Sequence, residues 1–185
     1  MSRIPAHAER VFEGVIFDVY QWQQPMFDGS TATFERLKRV HTSVILPVAA
    51  DGTVYYAEQE QPDKLPYFSL FGGGADEGEE PLETAKRELL EETGMVSGDW
   101  DLLFTHKVTG KIDWAIHYFI ARDVRKTMEP VLDGGEKITV KSTTWDDFIT
   151  NIVSHPSFAE IELKQRLYSA FNPEAADRFK SQLKA

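Results

Sequence analysis

Residues 73–95, with the sequence GGADEGEEPLETAKRELLEETGM, join a glycine-rich loop to a segment of helical periodicity and end on a helix stop. Pro81 suits the first position of a helix, where its missing N–H costs nothing. Gly94 suits the position just after the last turn, where a left-handed backbone is common. We therefore predict a helix over residues 81–93, preceded by a loop whose backbone can approach a ligand or an ion closely.

The predicted helix has an apolar side and a carboxylate side. The apolar side, which should pack on a sheet, consists of Leu82, Ala85 and Leu89. The carboxylates at positions i, i+3 and i+4 are Glu88, Glu91 and Glu92. Each like-charge pair at this spacing costs about 0.2–0.5 kcal/mol in an isolated helix. Most charged runs are solvated surface, but three carboxylates in one turn also suit a hard divalent cation. The neighbouring glycines favour the cation, so we predict a metal site.

Composition narrows the class of protein. The chain has 185 residues, of which 42% are hydrophobic, and this suits one domain with a substantial core. The sequence contains no cysteine, which excludes disulfides and thiol nucleophiles. A net charge of −10 disfavours nucleic acid as a partner. No apolar run is long enough to cross a membrane and no signal-peptide pattern opens the chain, so we expect a cytoplasmic protein.

Two pairs of extended segments predict β-hairpins before the helix. The first pair is aromatic-rich and meets at the turn signal Asp28-Gly29. The second pair meets at Asp51-Gly52. On this pattern, residues 1–40 are an amino-terminal hairpin extension and residues 41–185 are the main domain.

The second half of the chain alternates apolar strands with loops and ends in a polar tail. Strands are predicted within residues 99–143, and the tail from Asp146 onward reads as helical, with breaks near Pro156 and Pro173. A sheet of many strands with a few helices belongs to the α+β class or to a three-layer sandwich.

Residues 73–95 also resemble the signature of the Nudix hydrolases, the Nudix box. That signature runs Gly, five residues, Glu, seven residues, Arg-Glu-hydrophobic, any residue, Glu-Glu, any residue, Gly-hydrophobic, and every specified position is filled: Gly73, Glu79, Arg87, Glu88, Leu89, Glu91, Glu92, Gly94 and Met95. The resemblance implies a Nudix-type α/β/α sandwich with a mixed sheet. It also implies an enzyme that uses Mg²⁺ or Mn²⁺.

The same resemblance implies roles for individual residues. The metal ligands would be the carbonyl of Gly72 and the carboxylates of Glu88, Glu91 and Glu92. Arg87 would support catalysis by holding Glu91, one helical turn away. Glu79 would support the cluster from before the helix, and Gly73 would lie against the substrate.

The implied reaction is hydrolysis of the diphosphate bond of a nucleoside diphosphate linked to another moiety. The long segment before the box resembles that of ADP-ribose and nucleotide-sugar pyrophosphatases. Three departures argue against ADP-ribose alone: Gln59-Glu60-Gln61 lacks the arginine of a Gln-aromatic-Arg triplet, Ser69-Leu70-Phe71 replaces Glu-Leu-Pro, and Lys111 stands where a proline is frequent. ADP-ribose and a nucleotide sugar both remain open, beside a catalytically silent nucleotide sensor and a pyrophosphatase of nucleoside triphosphates.

The amino-terminal hairpin supplies candidates for substrate binding and for a homodimer. By analogy with the same pyrophosphatases, the aromatics that would stack on the base are Tyr20, Trp22 and Phe27. The cations that would lie near the phosphates are Arg36 and Arg39. For each aromatic the alternative is packing within the hairpin or at a dimer interface.

A general base is still needed to deprotonate the attacking water. Related enzymes take it from a loop after the box, and here 129-EPVLDGGEKITV-140 offers acidic residues between two predicted strands. Glu136 is the first choice because it lies directly before a strand, and Asp133 is the second. The alternative is an ordinary acidic surface turn.

Overall fold

The structure is a computed structural model that describes residues 3–62, 64–132 and 134–169, with side chains as far as residue 167. The strands are β1 (Glu9–Phe12), β2 (Asp18–Pro25), β3 (Thr31–Lys38), β4 (Thr42–Pro47), β5 (Val54–Gln61), β6 (Lys64–Ser69), β7 (Phe71–Gly74), β8 (Met95–Val96), β9 (Asp99–Lys107), β10 (Ile112–Asp113), β11 (Ala115–Arg122), β12 (Arg125–Lys126) and β13 (Lys137–Thr143). The helices are α1 (Pro81–Thr93), the short α2 (Trp145–Asp147), which continues as a π-helical segment (Phe148–Val153), and α3 (Ile161–Ser169).

A mixed sheet in the order β7-β4-β11-β9 lies at the centre of the fold. β4 and β11 run parallel, and the edge strands β7 and β9 run antiparallel to them. β11 is covered on both faces, which explains why its sequence is apolar almost throughout, as is usual for a fully buried strand.

Helices cover both faces of the central sheet. On one face, α1 buries Ala85 and Leu89 against inward-facing strand residues: Ile45, Phe71, Phe119 and Ala121. On the other face, the π-helical segment and α3 pack on the strand residues of opposite direction: Leu46, Ile116, Tyr118 and Ile120. The apolar side predicted for the helix and the three-layer α/β/α sandwich are thereby confirmed.

The amino-terminal extension is a ribbon of β1, β2 and β3, to which β10 of the main domain adds a fourth strand. β2 and β3 form the predicted hairpin, and its turn is held by Asp28, whose carboxylate accepts the backbone N–H of Ser30 at 3.0 Å. Gly29 adopts φ 84°, which favours glycine. Because β10 pairs in parallel with Leu37 and Lys38 of β3, the ribbon is joined directly to the main domain.

The second predicted hairpin is wrong. Its turn exists, because Thr53 N–H donates to the Asp51 carboxylate at 2.9 Å and Gly52 has φ 86°. However, β4 and β5 lie in different sheets and meet only at one bridge between Val48 and Val54. Both edges of β5 are already taken by β6 and β13, so no edge remains for β4.

The carboxyl-terminal helices begin as predicted near Asp146, and Pro156 lies in the interruption between the π-helical segment and α3. The predicted break at Pro173 lies outside the described residues. Within the described ranges, none of the helices is both long and apolar enough to cross a membrane.

Candidate active site

The two ends of α1 are fixed by the residues expected to fix them. Pro81 occupies the first position, and Gly94 adopts φ 70° with its N–H donating to the Leu90 carbonyl at 2.8 Å. A Cβ on Gly94 would collide with the Met128 carbonyl, so glycine is required here for close approach as well as for conformation. The Gly94 carbonyl in turn accepts the N–H of Thr127 at 2.8 Å, which ties the following loop to the end of the helix.

The three carboxylates of α1 do not form a solvated face. Glu92 is only 4% exposed, and its carboxylate accepts the backbone N–H of Gly72 at 2.7 Å. The side chain of Glu88 is 13% exposed, whereas that of Glu91 is 46% exposed. The explanation of these residues as ordinary charged surface is therefore wrong for Glu88 and Glu92, because a helix does not bury carboxylates without a compensating interaction.

Burial governs the protonation of the two enclosed carboxylates. Desolvation raises the pKa of Glu92 to about 9; the Gly72 N–H opposes this rise, and the nearby charges of Glu88, Glu136 and Glu160 add to it. Burial also raises the pKa of Glu88, against the pull of Arg87. A divalent cation beside these oxygens would favour their ionised forms, and their donor chemistry fits such an ion.

Arg87 connects three of the four glutamates that the signature specifies. Its guanidinium binds Glu79 through two hydrogen bonds of 3.0 Å, Nε to Oε1 and Nη2 to Oε2. Its Nη1 donates to Glu88 at 2.8 Å and to Glu91 at 3.0 Å, and Nη2 also donates to the Gly74 carbonyl at 2.8 Å. The expected contact with Glu91 is present, but the two-point pairing is with Glu79. This pairing lowers the pKa of Glu79 to about 2 and raises that of Arg87.

The glycines before the helix permit close packing of strand and carboxylate. Gly72 has φ 143°, and a Cβ there would collide with the Ser43 carbonyl of the neighbouring strand. A Cβ on Gly73 would collide with the carboxylate of Glu88. These glycines therefore allow close approach to the Ser43 carbonyl and to the Glu88 side chain, whereas approach to a ligand or an ion stays a prediction.

A small cavity of about 270 Å³ gathers these groups. It is lined by the backbone of residues 72–74 and by Asp76, Arg87, Glu88, Glu91, Glu92, Val131 and Glu136. Glu136 lies in the loop directly before β13, far from Glu92 in the chain. The loop is held at its near end by Val131, whose N–H donates to the Glu91 carbonyl at 2.8 Å. Asp133 lies outside the described residues.

The carboxylates of this cavity are not arranged around a common point. Across the described parts of the chain, no three histidine, cysteine, aspartate or glutamate side chains converge as they would in a formed metal centre. The hydrogen bonds explain why: Glu88 and Glu91 turn toward Arg87, and Glu92 turns toward the Gly72 N–H. In this arrangement the two side chains are held by Arg87 and do not share a common point.

A larger cavity of about 730 Å³ lies on the other side of the loop before α1. Asp76 lines both cavities, so the two adjoin. The walls of the larger cavity include Arg39, His41, Lys107, Trp114 and His117. Neither histidine is among the site residues predicted from the sequence. Parallel pairing of β4 with β11 brings their rings within 6.0 Å of each other, and no local sequence pattern could reveal that pairing.

The remaining hairpin candidates line neither cavity of their own chain. Trp22 is buried and packs against Phe34, with ring centroids 5.9 Å apart. Tyr20 lies under Lys38, and Phe27 is fully exposed at the hairpin turn. Arg36 donates to the Arg3 carbonyl at 3.0 Å. Substrate binding by Tyr20, Trp22, Phe27 and Arg36 stays a prediction, and it requires the ribbon of a second copy.

A sequence model of the NUDIX domain matches residues 37–161, more than half of the chain. The chain belongs to the Nudix family. Nudix hydrolases generally use divalent metal ions, in agreement with the oxygen-rich cavity beside α1. The matched region contains β4 to β13 and the whole of the box, and only β1, β2 and most of β3 precede it.

Two relatives of this Nudix protein are similar over about four fifths of its length. An ADP-ribose pyrophosphatase of Bacillus subtilis (strain 168) is 27% identical over 149 residues, which are 79% of this chain and 80% of the relative. A methanol dehydrogenase activator of Bacillus methanolicus is 24% identical over 147 residues, which are 78% of this chain and 80% of the relative.

The fold is also that of a known crystal structure. A protein described as an ADP compounds hydrolase matches with a TM-score of 0.72 over 97% of this chain and 95% of its own. The two sequences are 20% identical, so the match shows the overall fold and nothing finer.

Proposed function

We propose that this Nudix hydrolase cleaves the diphosphate bond of a nucleoside diphosphate linked to another moiety, either ADP-ribose or a nucleotide sugar. The products would be a nucleoside monophosphate and a sugar phosphate. The observation that carries the proposal is the small cavity beside α1, where the box glutamates and Glu136 face one another although they lie far apart in the chain.

Mg²⁺ or Mn²⁺ would be held by the carboxylates of Glu88, Glu91 and Glu92 and by the Gly72 carbonyl. When bound, such an ion neutralises charge on the diphosphate and lowers the pKa of the attacking water. The burial of Glu88 and Glu92 supports this assignment, because enclosed carboxylates without a cation are costly. Arg87 would keep the carboxylates apart until an ion arrives, since it already bonds Glu88 and Glu91.

Glu136 would be the general base that takes the proton of the attacking water. It lines the same small cavity as Glu88 and Glu92, which supports this role. Asp133 stays the second candidate for this role. Apart from Val131, the small cavity is lined by charged side chains and by the glycines of residues 72–74. This lining suits a diphosphate and an ion and leaves the rest of the substrate to the adjoining cavity.

Similarity to ADP-ribose pyrophosphatases and differences from them both bear on the identity of the linked moiety. Similarity to the B. subtilis ADP-ribose pyrophosphatase supports ADP-ribose. The missing arginine in Gln59-Glu60-Gln61 supports a nucleotide sugar, and in the structure Gln59 binds the Tyr67 hydroxyl at 2.8 Å instead of facing either cavity. The filled set of box positions argues against a catalytically silent sensor.

A homodimer through the amino-terminal ribbon belongs to the same proposal. Large apolar side chains are exposed on the ribbon and its flanks: Val11, Phe12, Val15, Ile16, Met26, Phe27 and Val40. Such a concentration in one short region is more than a monomer usually leaves in water. Binding through a second copy would also bring Tyr20 and Phe27 toward a substrate site. A cytoplasmic location and the absence of a nucleic-acid partner stay predictions.

The test is a product assay over ADP-ribose, nucleotide sugars, dinucleoside polyphosphates and nucleoside triphosphates, each with Mg²⁺, with Mn²⁺ and with EDTA. We expect release of a nucleoside monophosphate from the first two classes, only with metal, and loss of this activity in Glu92→Gln. Glu83→Gln is the matched control, because Glu83 lies on the exposed side of the same helix and pairs with Lys86 at 2.9 Å. Activity confined to triphosphates would replace the proposal by the sanitising alternative.

A further inference from the structure

The larger cavity contains an arginine that is held in place without an acidic partner. Arg39 packs its guanidinium 4.4 Å from the ring centroid of Trp114 and 5.8 Å from that of Phe17. Within the described part of the chain, it forms no ion pair and no side-chain hydrogen bond. Stacking engages the faces of a guanidinium and leaves its in-plane N–H groups, which match the oxygens of a phosphate or carboxylate.

The ring that supports Arg39 is itself fixed. Trp114 donates from Nε1 to the Thr42 hydroxyl at 3.0 Å, and the Arg39 backbone N–H donates to the Asp113 carbonyl at 3.2 Å. An arginine positioned by both its backbone and its stacking partner loses little rotamer freedom when it binds a ligand. Preorganisation of this kind favours affinity.

Further donors lie around the same cavity. Lys107 is exposed and has no carboxylate partner in the described ranges. His41 accepts the Ala115 N–H at Nδ1, so its Nε2 carries the hydrogen of the neutral ring. His117 lies beside it, with Nδ1 3.1 Å from the Thr105 hydroxyl. Lys107, His41 and His117 all belong to the cavity wall.

Charge is distributed unevenly along the cavity. Four of its five carboxylates belong to the loop before α1, which separates it from the small cavity: Asp76, Glu77, Glu79 and Glu80. The fifth carboxylate is that of Asp113, the last residue of β10. The cations come from the ribbon and from β9: Arg3, Lys38, Arg39 and Lys107. A ligand that reaches from the small cavity past Asp76 therefore meets a basic end with donors ready for an anion.

We infer that the substrate carries a second negatively charged group, apart from its diphosphate, and that Arg39 determines this specificity by binding it. This inference rests on the proposed function, because it places the diphosphate in the small cavity. It narrows the substrate class to nucleoside diphosphate compounds in which the sugar or the nucleoside bears a carboxylate or an additional phosphate. A volume of about 730 Å³ accommodates a nucleoside or a sugar with such a group.

Two substrate pairs test the inference, because the members of each differ in one charged group. UDP-glucuronate differs from UDP-glucose by a carboxylate, and 2′-phospho-ADP-ribose differs from ADP-ribose by a phosphate. We expect the wild-type enzyme to favour the charged member of at least one pair by about ten- to hundredfold in kcat/KM, as for a charge-assisted hydrogen bond. The preference should reside mainly in KM.

Substitution of the arginine should remove that preference selectively. In Arg39→Met we expect the ratio within the favoured pair to fall close to one, because kcat/KM for the charged member should fall much further than kcat/KM for the uncharged member. Arg39→Lys keeps the charge and should retain part of the ratio. Arg166→Met is the matched control, because Arg166 also stacks on an aromatic ring, that of Phe104 at 4.0 Å, and lines neither cavity. It should leave the ratio unchanged.

Thermal unfolding and near-ultraviolet circular dichroism establish whether each variant is folded. If Arg39→Met is not folded, Arg39→Lys decides the result. Equal kcat/KM within both pairs, or a preference that survives in Arg39→Met, would overturn the inference and leave the proposed function intact. Failure of the wild-type enzyme to hydrolyse any of the four compounds with Mg²⁺ or Mn²⁺ would overturn both.

Discussion

Arg87 and Glu79 form a two-point ion pair that closes the loop before α1 onto the helix, with both hydrogen bonds at 3.0 Å. Glu79 also accepts the Thr84 hydroxyl at 2.9 Å and the Asp76 N–H at 3.0 Å. The loop that separates the two cavities is therefore fixed by one carboxylate. Four hydrogen bonds of this kind explain why its pKa falls to about 2.

Glu79→Gln should lower the free energy of unfolding by about 1–2 kcal/mol at pH 7, because a charge-assisted pair becomes a neutral one. The native pKa of Glu79 is below its ordinary value of 4.5, so its contribution is present above pH 4.5 and is lost as the pH falls toward 2. Urea unfolding at a series of pH values measures this. The difference between wild type and variant should shrink between pH 4.5 and 2; a constant difference would contradict the assignment.

Glu92→Gln should abolish most turnover and yet stabilise the protein in EDTA. The native pKa of Glu92 is raised to about 9, so folding of the wild type becomes less favourable as the pH rises from 4.5 to 9, whereas glutamine has no proton to lose. Unfolding in EDTA across this range should show a growing advantage of the variant. Addition of Mn²⁺ should reverse the order, and a wild type that gains nothing from Mn²⁺ would remove Glu92 from the ligand set.

Gly73→Ala should reduce kcat by about tenfold to a thousandfold, because its Cβ would displace the Glu88 carboxylate and a misplacement of about 1 Å is already costly in catalysis. The global stability should change little, since the displaced group is the end of a flexible side chain. Gly98→Ala is the control, because an added Cβ there meets nothing within 4 Å. Steady-state kinetics and Mn²⁺ titration of both variants provide the comparison, and equal rates would contradict the close packing.

Glu136→Gln should lower kcat by about 10²–10⁴ if this residue is the general base. Affinity for Mn²⁺ should change little, because the ligands on α1 remain. Single-turnover assays and Mn²⁺ titration separate the two effects. A near-normal kcat here together with a large loss in Asp133→Asn would transfer the role to Asp133, and normal rates in both variants would return it to the box.

Sedimentation at micromolar concentration should report about twice the chain mass of 21.1 kDa. The exposed apolar side chains of the ribbon provide the reason, and Phe27, the most exposed of them, provides the probe. Phe27→Asp should weaken the dimer without affecting the fold, because the Phe27 side chain is fully exposed in its own chain. A wild-type monomer would exclude the dimer and the shared base-binding site with it.

Local sequence patterns predicted those features that depend on neighbours in the chain. The ends of α1 follow from Pro81 and Gly94, and the apolar side of the helix follows from its spacing. The burial of Glu92 could not be predicted, because it involves the Gly72 N–H of β7, 20 positions earlier in the chain. The same limit explains the wrong hairpin prediction at Asp51-Gly52. The turn is fixed by neighbouring residues, but β4 pairs with β7 and β11, and β5 pairs with β6 and β13.

Contacts between residues that meet only through strand pairing are the hardest to predict from the sequence. His41 and His117 carry no mutual signal in the sequence, since 76 positions separate them (117 minus 41) and only the β4–β11 pairing brings them together. The sequence predicts Arg39 as a phosphate-binding residue. It does not predict the stacking of Arg39 on Trp114, because this contact depends on the pairing of β10 with the ribbon.

The loop that delivers Glu136 is suspended between two anchors. One anchor is Val131 on the Glu91 carbonyl, and the other is Lys137, which opens β13 and pairs with Glu60. If Glu136 is the general base, the number of residues between these anchors would set how far its carboxylate reaches toward the substrate. Natural insertions or deletions in this segment would therefore change the gap for the attacking water while every letter of the box stays the same. On the proposed function, length variation here would change turnover independently of metal affinity.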